Sequence, residues 1–289
     1  MTARGRRLLA RFVTMLAAGL AGILTVGALP AAADTVGIGQ YVALGDSYAA
    51  GQGGSLTYDS KCLQSPKGYP ALLDAESQIH LRANAACTGA TTSDVAVKQL
   101  SALKQGTRLV TLTVGAADLG LSTVLTACTA GTATQCQAAI QSAFLLLPAT
   151  CGAESELGTR LEDLYAAVAA AAPNALIVVT GYPYLFELLP RDPDLAIKTQ
   201  INAATTLLNC AIENAVTDAQ ADGVNIVYVD VTGPDAFGGH GIGSAEPFIN
   251  PPGTAINAFH PTAAGYVAYA EAISAALPSS LGANQEQVA

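Results

Sequence analysis

Five short apolar runs rich in β-branched residues alternate along this chain with longer segments whose apolar residues recur at helical spacing. This alternation is typical of a parallel sheet whose strands are joined by crossover helices, so the sequence predicts an α/β fold. The predicted strands are Gln40–Leu44, Ile79–Ala85, Arg108–Val114, Ala175–Thr180 and Val224–Asp230. The predicted helices are Tyr69–Ser77, Ser93–Leu103, Glu154–Ala172, Asp194–Ala221 and Thr262–Leu277. The Gly- and Pro-rich stretch from Thr232 to Asn257 lacks periodicity and is expected to be a long surface loop.

The composition is that of one large folded domain. The 289 residues are 51% hydrophobic and only 12% charged, which is too apolar for a disordered chain. Asp and Glu outnumber Lys and Arg by 22 to 13, and the formal net charge is −9. Because no basic surface is available to neutralise phosphates, the chain is not expected to bind nucleic acid.

The first 33 residues have the pattern of a secretory signal peptide. Arginines at positions 4, 6, 7 and 11 precede an apolar run over 12–29, which Pro30 and three alanines follow. The small residues predict cleavage after Ala33, and a retained membrane anchor is the alternative for an apolar run of this length. We therefore expect a secreted, extracellular protein with no stable membrane span after cleavage. It would consist of a domain over 34–278 and a polar, disordered tail over 279–289.

All six cysteines follow the predicted cleavage site, in a chain bound for an oxidising compartment. Three disulfides are therefore expected. Many pairings are possible in principle, and proximity in the sequence favours Cys62–Cys87, Cys128–Cys136 and Cys151–Cys210. A zinc site is the alternative, but no CxxC motif and no closely spaced Cys/His set supports it.

A serine follows the first predicted strand directly. The tripeptide Gly45-Asp46-Ser47 places Ser47 at the carboxyl end of that strand, where open α/β sheets bind their ligands. The position suggests a nucleophile, and an ordinary turn or helix N-cap is the alternative. Of the three histidines, His80 lies beside a predicted core strand and His240 lies in the glycine-rich loop. His260 immediately precedes the last predicted helix, which can hold the imidazole at the sheet edge, so we favour it as the general base.

Motifs at both ends of the predicted domain resemble those of the SGNH (GDSL) hydrolases. They read YVALGDSY over 41–48 and FHPTAAGY over 259–266, with shorter matches at 87–90, 113–115, 181–183, 240–241 and 247–250. The resemblance spans essentially the whole mature chain and is strongest to secreted actinobacterial GDSL lipases and esterases. It implies a three-layer αβα sandwich with a five-stranded parallel sheet.

The resemblance also implies roles for particular residues. Ser47 would be the nucleophile, His260 the base, and the backbone amides of Ser47 and Gly89 the oxyanion hole. Two positions depart from the family pattern. Ala117 stands where the family has an asparagine that donates to the oxyanion, and Asn257 stands where an aspartate usually precedes the histidine by three residues. Some members orient the imidazole with a backbone carbonyl here, and Asn257 is expected to supply that carbonyl.

These motifs predict a serine esterase or lipase that cleaves carboxylic ester bonds through an acyl-enzyme. Because both departures concern catalysis, the alternative is a degenerate member that keeps the cleft as a binding module for lipid or cell-envelope ligands. Transfer to an acceptor other than water and carbohydrate deacetylation are further alternatives. The expected partner is a small-molecule or lipid ester, and this chemistry requires no cofactor and no metal. The spacing of Leu119, Leu121, Val124 and Leu125 fits either an acyl pocket or ordinary core.

Overall fold

The computed structural model describes residues 38–58, 61–76, 79–253 and 255–278. The predicted signal peptide over 1–33 and the predicted tail over 279–289 lie outside these residues. Within the described part of the chain, strands form at the five predicted places. They are β1 (Ile38–Gly45), β2 (Ile79–Asn84), β3 (Leu109–Thr113), β4 (Leu176–Thr180) and β5 (Ile226–Val229).

All five strands are parallel, and they lie in the order β2-β1-β3-β4-β5. Every residue of β3 and β4 is buried, as expected for strands covered by helices on both faces. The chain leaves β1 toward one side to form β2 and crosses to the other side to form β3. This reversal opens a crevice beyond the carboxyl ends of β1 and β3, which is where open α/β sheets bind ligands.

Helices cover both faces of the sheet. They are α1 (Ser47–Ala50), α2 (Tyr69–Asp74), α3 (Thr92–Asp94), α4 (Leu121–Ala130), α5 (Ala133–Phe144), α6 (Glu156–Ala171), α7 (Leu195–Ala221) and α8 (Ala263–Ala276). α2 packs against α8, and α6 packs against α3 and α7. Right-handed crossovers place the first pair on one face and the other three helices on the opposite face. The three-layer αβα prediction is confirmed.

Two helical regions differ from the prediction. The segment Ser93–Leu103 is one helix in the prediction, but the structure has the short α3, a π-helical turn at Val95–Gln99 and a 3₁₀ turn at Leu100–Ala102. The wider turn accompanies an inward-pointing Gln99 side chain, which hydrogen-bonds the backbone of β1. The hairpin of α4 and α5 is missing from the predicted helices. A capping box that starts at Thr132 marks the beginning of α5.

Disulfides join two loops, the two helices of the α4–α5 hairpin, and the loop before α6 to α7. The bonds are Cys62–Cys87, Cys128–Cys136 and Cys151–Cys210, which is the predicted pairing. The Gly- and Pro-rich segment is irregular as predicted, apart from a 3₁₀ turn at Ala255–Asn257. Across the described ranges, no helix combines the length and apolarity needed to cross a membrane.

Candidate active site

Ser47 stands on a sharp turn between β1 and α1. Gly45 ends the strand with φ at +128°, and a Cβ at this position would lie 2.1 Å from the carbonyl oxygen of Thr113, so only glycine fits. The next residue, Asp46, donates its backbone N–H to that carbonyl at 2.9 Å. Its carboxylate then caps α1 by accepting the N–H of Tyr48 at 2.9 Å. The turn therefore places Ser47 as the first residue of α1, just beyond the carboxyl end of β1.

A buried glutamine holds this turn from the helical side. Gln99 Oε1 accepts the N–H of Gly45 and Nε2 donates to the Gly45 carbonyl, both at 2.8 Å. The Gln99 side chain thus closes a two-bond clamp on the residue two positions before Ser47. Sequence reasoning missed Gln99, because its role depends on the π-helical turn and not on a residue pattern.

His260 pairs with Ser47 in the described structure. Its Nε2 lies 2.9 Å from Ser47 Oγ, and its Nδ1 lies 2.8 Å from the backbone carbonyl oxygen of Ala258. The Ala258 carbonyl can only accept, so Nδ1 carries the proton and Nε2 is left as an acceptor for the serine hydroxyl proton.

The orienting carbonyl belongs to Ala258 and not to Asn257, so that prediction was wrong by one residue. The Asn257 carbonyl accepts the backbone N–H of His260 at 3.1 Å, and its Oδ1 accepts the hydroxyl of Tyr58 at 2.6 Å. The reason is the tight turn between Asn257 and His260, which directs the Asn257 carbonyl at the main chain. Asn257 therefore fixes the loop that carries the Ala258 carbonyl, and Tyr58 holds the Asn257 side chain. Sequence reasoning did not reveal Tyr58.

Side-chain contacts hold the histidine loop in place. The Nδ2 atom of Asn250 lies within 3.2 Å of the carbonyl oxygens of Gly53, His260 and Pro261. Tyr48 donates its hydroxyl to the Phe259 carbonyl at 2.8 Å, which ties the loop to α1. Phe259 itself has φ at +63°, a left-handed conformation that is strained for a bulky residue.

Burial shifts the pKa values of two groups at the site in opposite directions. Burial lowers the pKa of His260 to about 4, although the hydrogen bond to Ala258 opposes the shift. Burial raises the pKa of Asp46 to about 7, and a hydrogen bond of 2.5 Å from the Tyr182 hydroxyl opposes part of that rise. At neutral pH the imidazole is therefore uncharged and able to accept a proton.

Two backbone amides border the cleft beside Ser47. Gly89 lines the same cleft as Ser47 and His260, with φ at +71° and open space where a side chain would point. In the part of the chain that the structure describes, the N–H groups of Ser47 and Gly89 have no protein acceptor. Ala117 also lines the cleft and offers no side-chain donor. The nearby Asp118 binds Thr92, accepting both its N–H at 2.9 Å and its hydroxyl at 2.7 Å, so its role is structural.

The cleft has a volume of about 740 Å³ and one apolar wall. Leu121 and Leu125 of α4 line it, and Leu121 also lines an adjoining cavity of about 30 Å³ together with Leu119 and Val124. The four residues thus divide between the two alternatives of pocket and core. His240 does not line this cleft and stacks on Phe248 with ring centroids 3.8 Å apart.

A serine hydroxyl paired with a neutral imidazole, at the carboxyl edge of a doubly wound parallel sheet, is the arrangement of the serine hydrolase class. A model of the GDSL-like Lipase/Acylhydrolase family matches residues 43–268. The chain belongs to this family, and it is an ester-hydrolysing enzyme.

Curated relatives agree with this assignment. The chain is 36% identical to a lipase of Streptomyces rimosus, over 78% of this chain and 81% of that protein. It is 33% identical to Lipase 1 of Streptomyces coelicolor, over 89% of this chain and 92% of that protein.

Solved structures show the same fold. The crystal structure of the extracellular lipase of Streptomyces rimosus has a TM-score of 0.72 and 32% identity, covering 82% of this chain and 99% of that one. The crystal structure of phospholipase A1 from Streptomyces albidoflavus has a TM-score of 0.73 and 35% identity, covering 83% of this chain and 100% of that one.

Proposed function

We propose that this chain is a secreted serine hydrolase of the lipase or carboxylesterase type, which cleaves acyl esters through an acyl-enzyme on Ser47. The observation that carries the proposal is the 2.9 Å contact between Ser47 Oγ and His260 Nε2, with Nδ1 fixed by the Ala258 carbonyl. This geometry supplies both a nucleophile and a base that is neutral at neutral pH.

The reaction begins when Ser47 Oγ attacks the ester carbonyl carbon and its proton passes to His260 Nε2. The carbonyl oxygen becomes an oxyanion, which the N–H groups of Ser47 and Gly89 stabilise. The intermediate collapses, His260 protonates the departing alkoxide, and the acyl group remains on Ser47. Water then attacks the acyl-enzyme and gives a proton to Nε2, and Ser47 recovers its proton as the carboxylic acid leaves.

Two features make this site weaker than a full triad. The Ala258 carbonyl fixes the imidazole tautomer, but it carries only a partial charge and stabilises the imidazolium less than a carboxylate does. Ala117 provides no third donor to the oxyanion, and such a donor contributes roughly 10²–10³ to turnover in a studied hydrolase. These features predict a lower turnover than that of a hydrolase with an orienting carboxylate and a third oxyanion donor.

The substrate class follows from the cleft and from the relatives. The apolar wall formed by Leu121 and Leu125 suits an acyl chain, and the similar solved structures include a lipase and a phospholipase A1. Secretion is supported by the signal-peptide pattern over 1–33 and by the disulfides. The name of the Streptomyces rimosus protein, an extracellular lipase, agrees with it.

The test is hydrolysis of p-nitrophenyl acetate, butyrate and octanoate by the oxidised protein. Ser47→Ala is expected to lower kcat by roughly 10⁴-fold or more, because the nucleophile is lost. Ser122→Ala is the matched control, since Ser122 lines the same cleft and is expected to keep wild-type activity. A wild-type protein as inactive as Ser47→Ala on all three esters would contradict the proposal and leave the binding module.

A further inference from the structure

The segments that line the cleft are free of charged residues over long stretches. No Asp, Glu, Lys or Arg occurs in 47–58, 119–153 or 247–270. These segments supply much of the cleft lining, including Gln52, Leu125 and Pro252. The net charge of −9 therefore resides on other parts of the chain, and Asp46, an acidic residue of the cleft lining, is buried.

Four large aliphatic side chains of these segments are exposed, namely Leu56, Leu145, Ile256 and Val267, and two of them stand on loops that are linked to each other. Leu56 is 92% exposed and Ile256 is 46% exposed. Their loops are joined at the cleft by two contacts, one from the Tyr58 hydroxyl to Asn257 Oδ1 at 2.6 Å and one from Gln52 Nε2 to the Ile256 carbonyl. The two exposed side chains therefore lie on linked loops beside the same opening.

We propose that the protein docks on a zwitterionic lipid surface through Leu56 and Ile256, which brings the cleft to face the lipid. Transfer of exposed aliphatic groups from water to an apolar phase is favourable. No charged side chain of the three segments has to be desolvated on approach. The acidic remainder of the molecule disfavours anionic membranes. The inference rests on the proposed function, since it supplies a way for a lipid ester to reach Ser47.

A lipid surface suits this rim better than a protein partner does. A stable protein interface buries about 800 Å² on each partner and depends on a packed central cluster of large side chains. Leu56 and Ile256 stand on two loop tips and form no such cluster. Insertion of isolated aliphatic side chains into a lipid surface needs no complementary partner surface.

The test is binding of the mature Ser47→Ala protein, secreted without residues 1–33, to phosphatidylcholine vesicles, followed by flotation. Ser47→Ala prevents hydrolysis of the vesicles during the assay. The paired change Leu56→Ser with Ile256→Ser is expected to weaken vesicle binding by about 10-fold or more. Val97→Ser is the matched control, because Val97 is 79% exposed but stands next to Lys98 in the sequence, away from the uncharged segments. It is expected to bind as the parent does.

Three results of the vesicle assay would overturn the proposal. They are no binding to phosphatidylcholine vesicles, an equal loss in the Val97→Ser control, and stronger binding when phosphatidylglycerol is added to the vesicles. Self-association of the parent that the paired change abolishes would also overturn it and would assign the rim to a second copy of this chain.

A second measurement separates docking from catalysis. With Ser47 intact, the paired change is expected to leave kcat/KM for soluble p-nitrophenyl butyrate unchanged and to lower the hydrolysis of phosphatidylcholine vesicles. Vesicle binding without any hydrolysis would contradict the proposed function and leave the docking surface standing. Hydrolysis of soluble esters without vesicle binding would contradict the docking surface and leave the proposed function standing.

Discussion

Ser47 and His260 face each other across 2.9 Å, but their segments are anchored by different means. The turn that carries Ser47 continues a strand of the central sheet, and Gly45 pairs with Thr113 in the parallel ladder. The loop that carries His260 belongs to no strand of the sheet. Its main chain pairs with another loop segment, 248–250, outside the sheet, and the side chains of Asn250 and Tyr48 hold it further.

The difference predicts which substitutions lower stability and which lower activity. Main-chain pairing and the Gln99 clamp fix the serine turn as part of the folding core, so disturbing it should cost stability. The histidine loop contributes less to the core, so disturbing it should move the imidazole and cost activity. The following substitutions test this division.

Asn250→Ala is expected to lower kcat/KM by about 100-fold. It removes the contacts of Nδ2 with the His260 and Pro261 carbonyls, and a displacement of about 1 Å at a reacting group costs about that factor. The control is Asn225→Ala, whose Nδ2 donates to the Ala175 carbonyl at 3.2 Å at the other end of the sheet. Equal activity in the two variants would show that the loop does not depend on Asn250.

Gln99→Ala is expected to lower the free energy of unfolding by about 2 kcal/mol. The change leaves the buried N–H of Gly45 without its acceptor, and an unsatisfied buried group costs about 1–3 kcal/mol. Urea unfolding measures this loss. Gln137→Ala, on the exposed face of α5, should change stability by less than about 0.5 kcal/mol. If Gln99→Ala were as stable as Gln137→Ala, the serine turn would not belong to the folding core.

Asn257→Ala is expected to lower kcat by less than about 10-fold. Its amide contacts Tyr58 and not the imidazole, so only the loop position changes. If the side-chain amide of Asn257 oriented the imidazole, the loss would approach the ~10⁴-fold seen for the orienting residue of a studied triad. Steady-state kinetics of the two variants Asn257→Ala and Tyr58→Phe on one soluble ester distinguish these cases, and similar small losses are expected for both.

The activity should change little between pH 7 and pH 5. The pKa of His260 is lowered to about 4, so the base stays neutral in this range, and kcat/KM should decline only as the pH falls through 4. A histidine with the ordinary pKa of about 6.5 would lose about 30-fold by pH 5. Burial raises the pKa of Asp46 to about 7. Any change of kcat/KM that comes from ionisation of Asp46 would be absent in Asp46→Asn. A fall in kcat/KM near pH 6.5 that persists in Asp46→Asn would contradict the lowered pKa of His260.

The features predicted well from the sequence are those that depend on local pattern. The strands, the αβα layers and the serine turn follow from runs of apolar residues and from Gly45-Asp46-Ser47, and the position of His260 before α8 follows from its flanking motif. The cysteines pair consecutively along the chain, so their order in the sequence was enough to match them.

The features missed depend on contacts between distant residues. Tyr58 meets Asn257 from 199 residues away in the sequence, and Gln99 reaches Gly45 from a π-helical turn. The assignment of the orienting carbonyl to Asn257 failed for a related reason. Spacing before a histidine does not fix which carbonyl turns toward Nδ1, because that depends on the dihedral angles of the loop, including the positive φ of Phe259.

The most direct test of the Ser47–His260 pair is covalent trapping with a p-nitrophenyl alkylphosphonate, which mimics the ester and leaves its phosphonyl group on an activated serine. Intact mass and peptide mapping of the labelled protein should show one phosphonyl group, on Ser47, with labelling greatly slowed in His260→Gln. An adduct on another residue, or labelling of Ser47 that is equally fast in His260→Gln, would contradict the account.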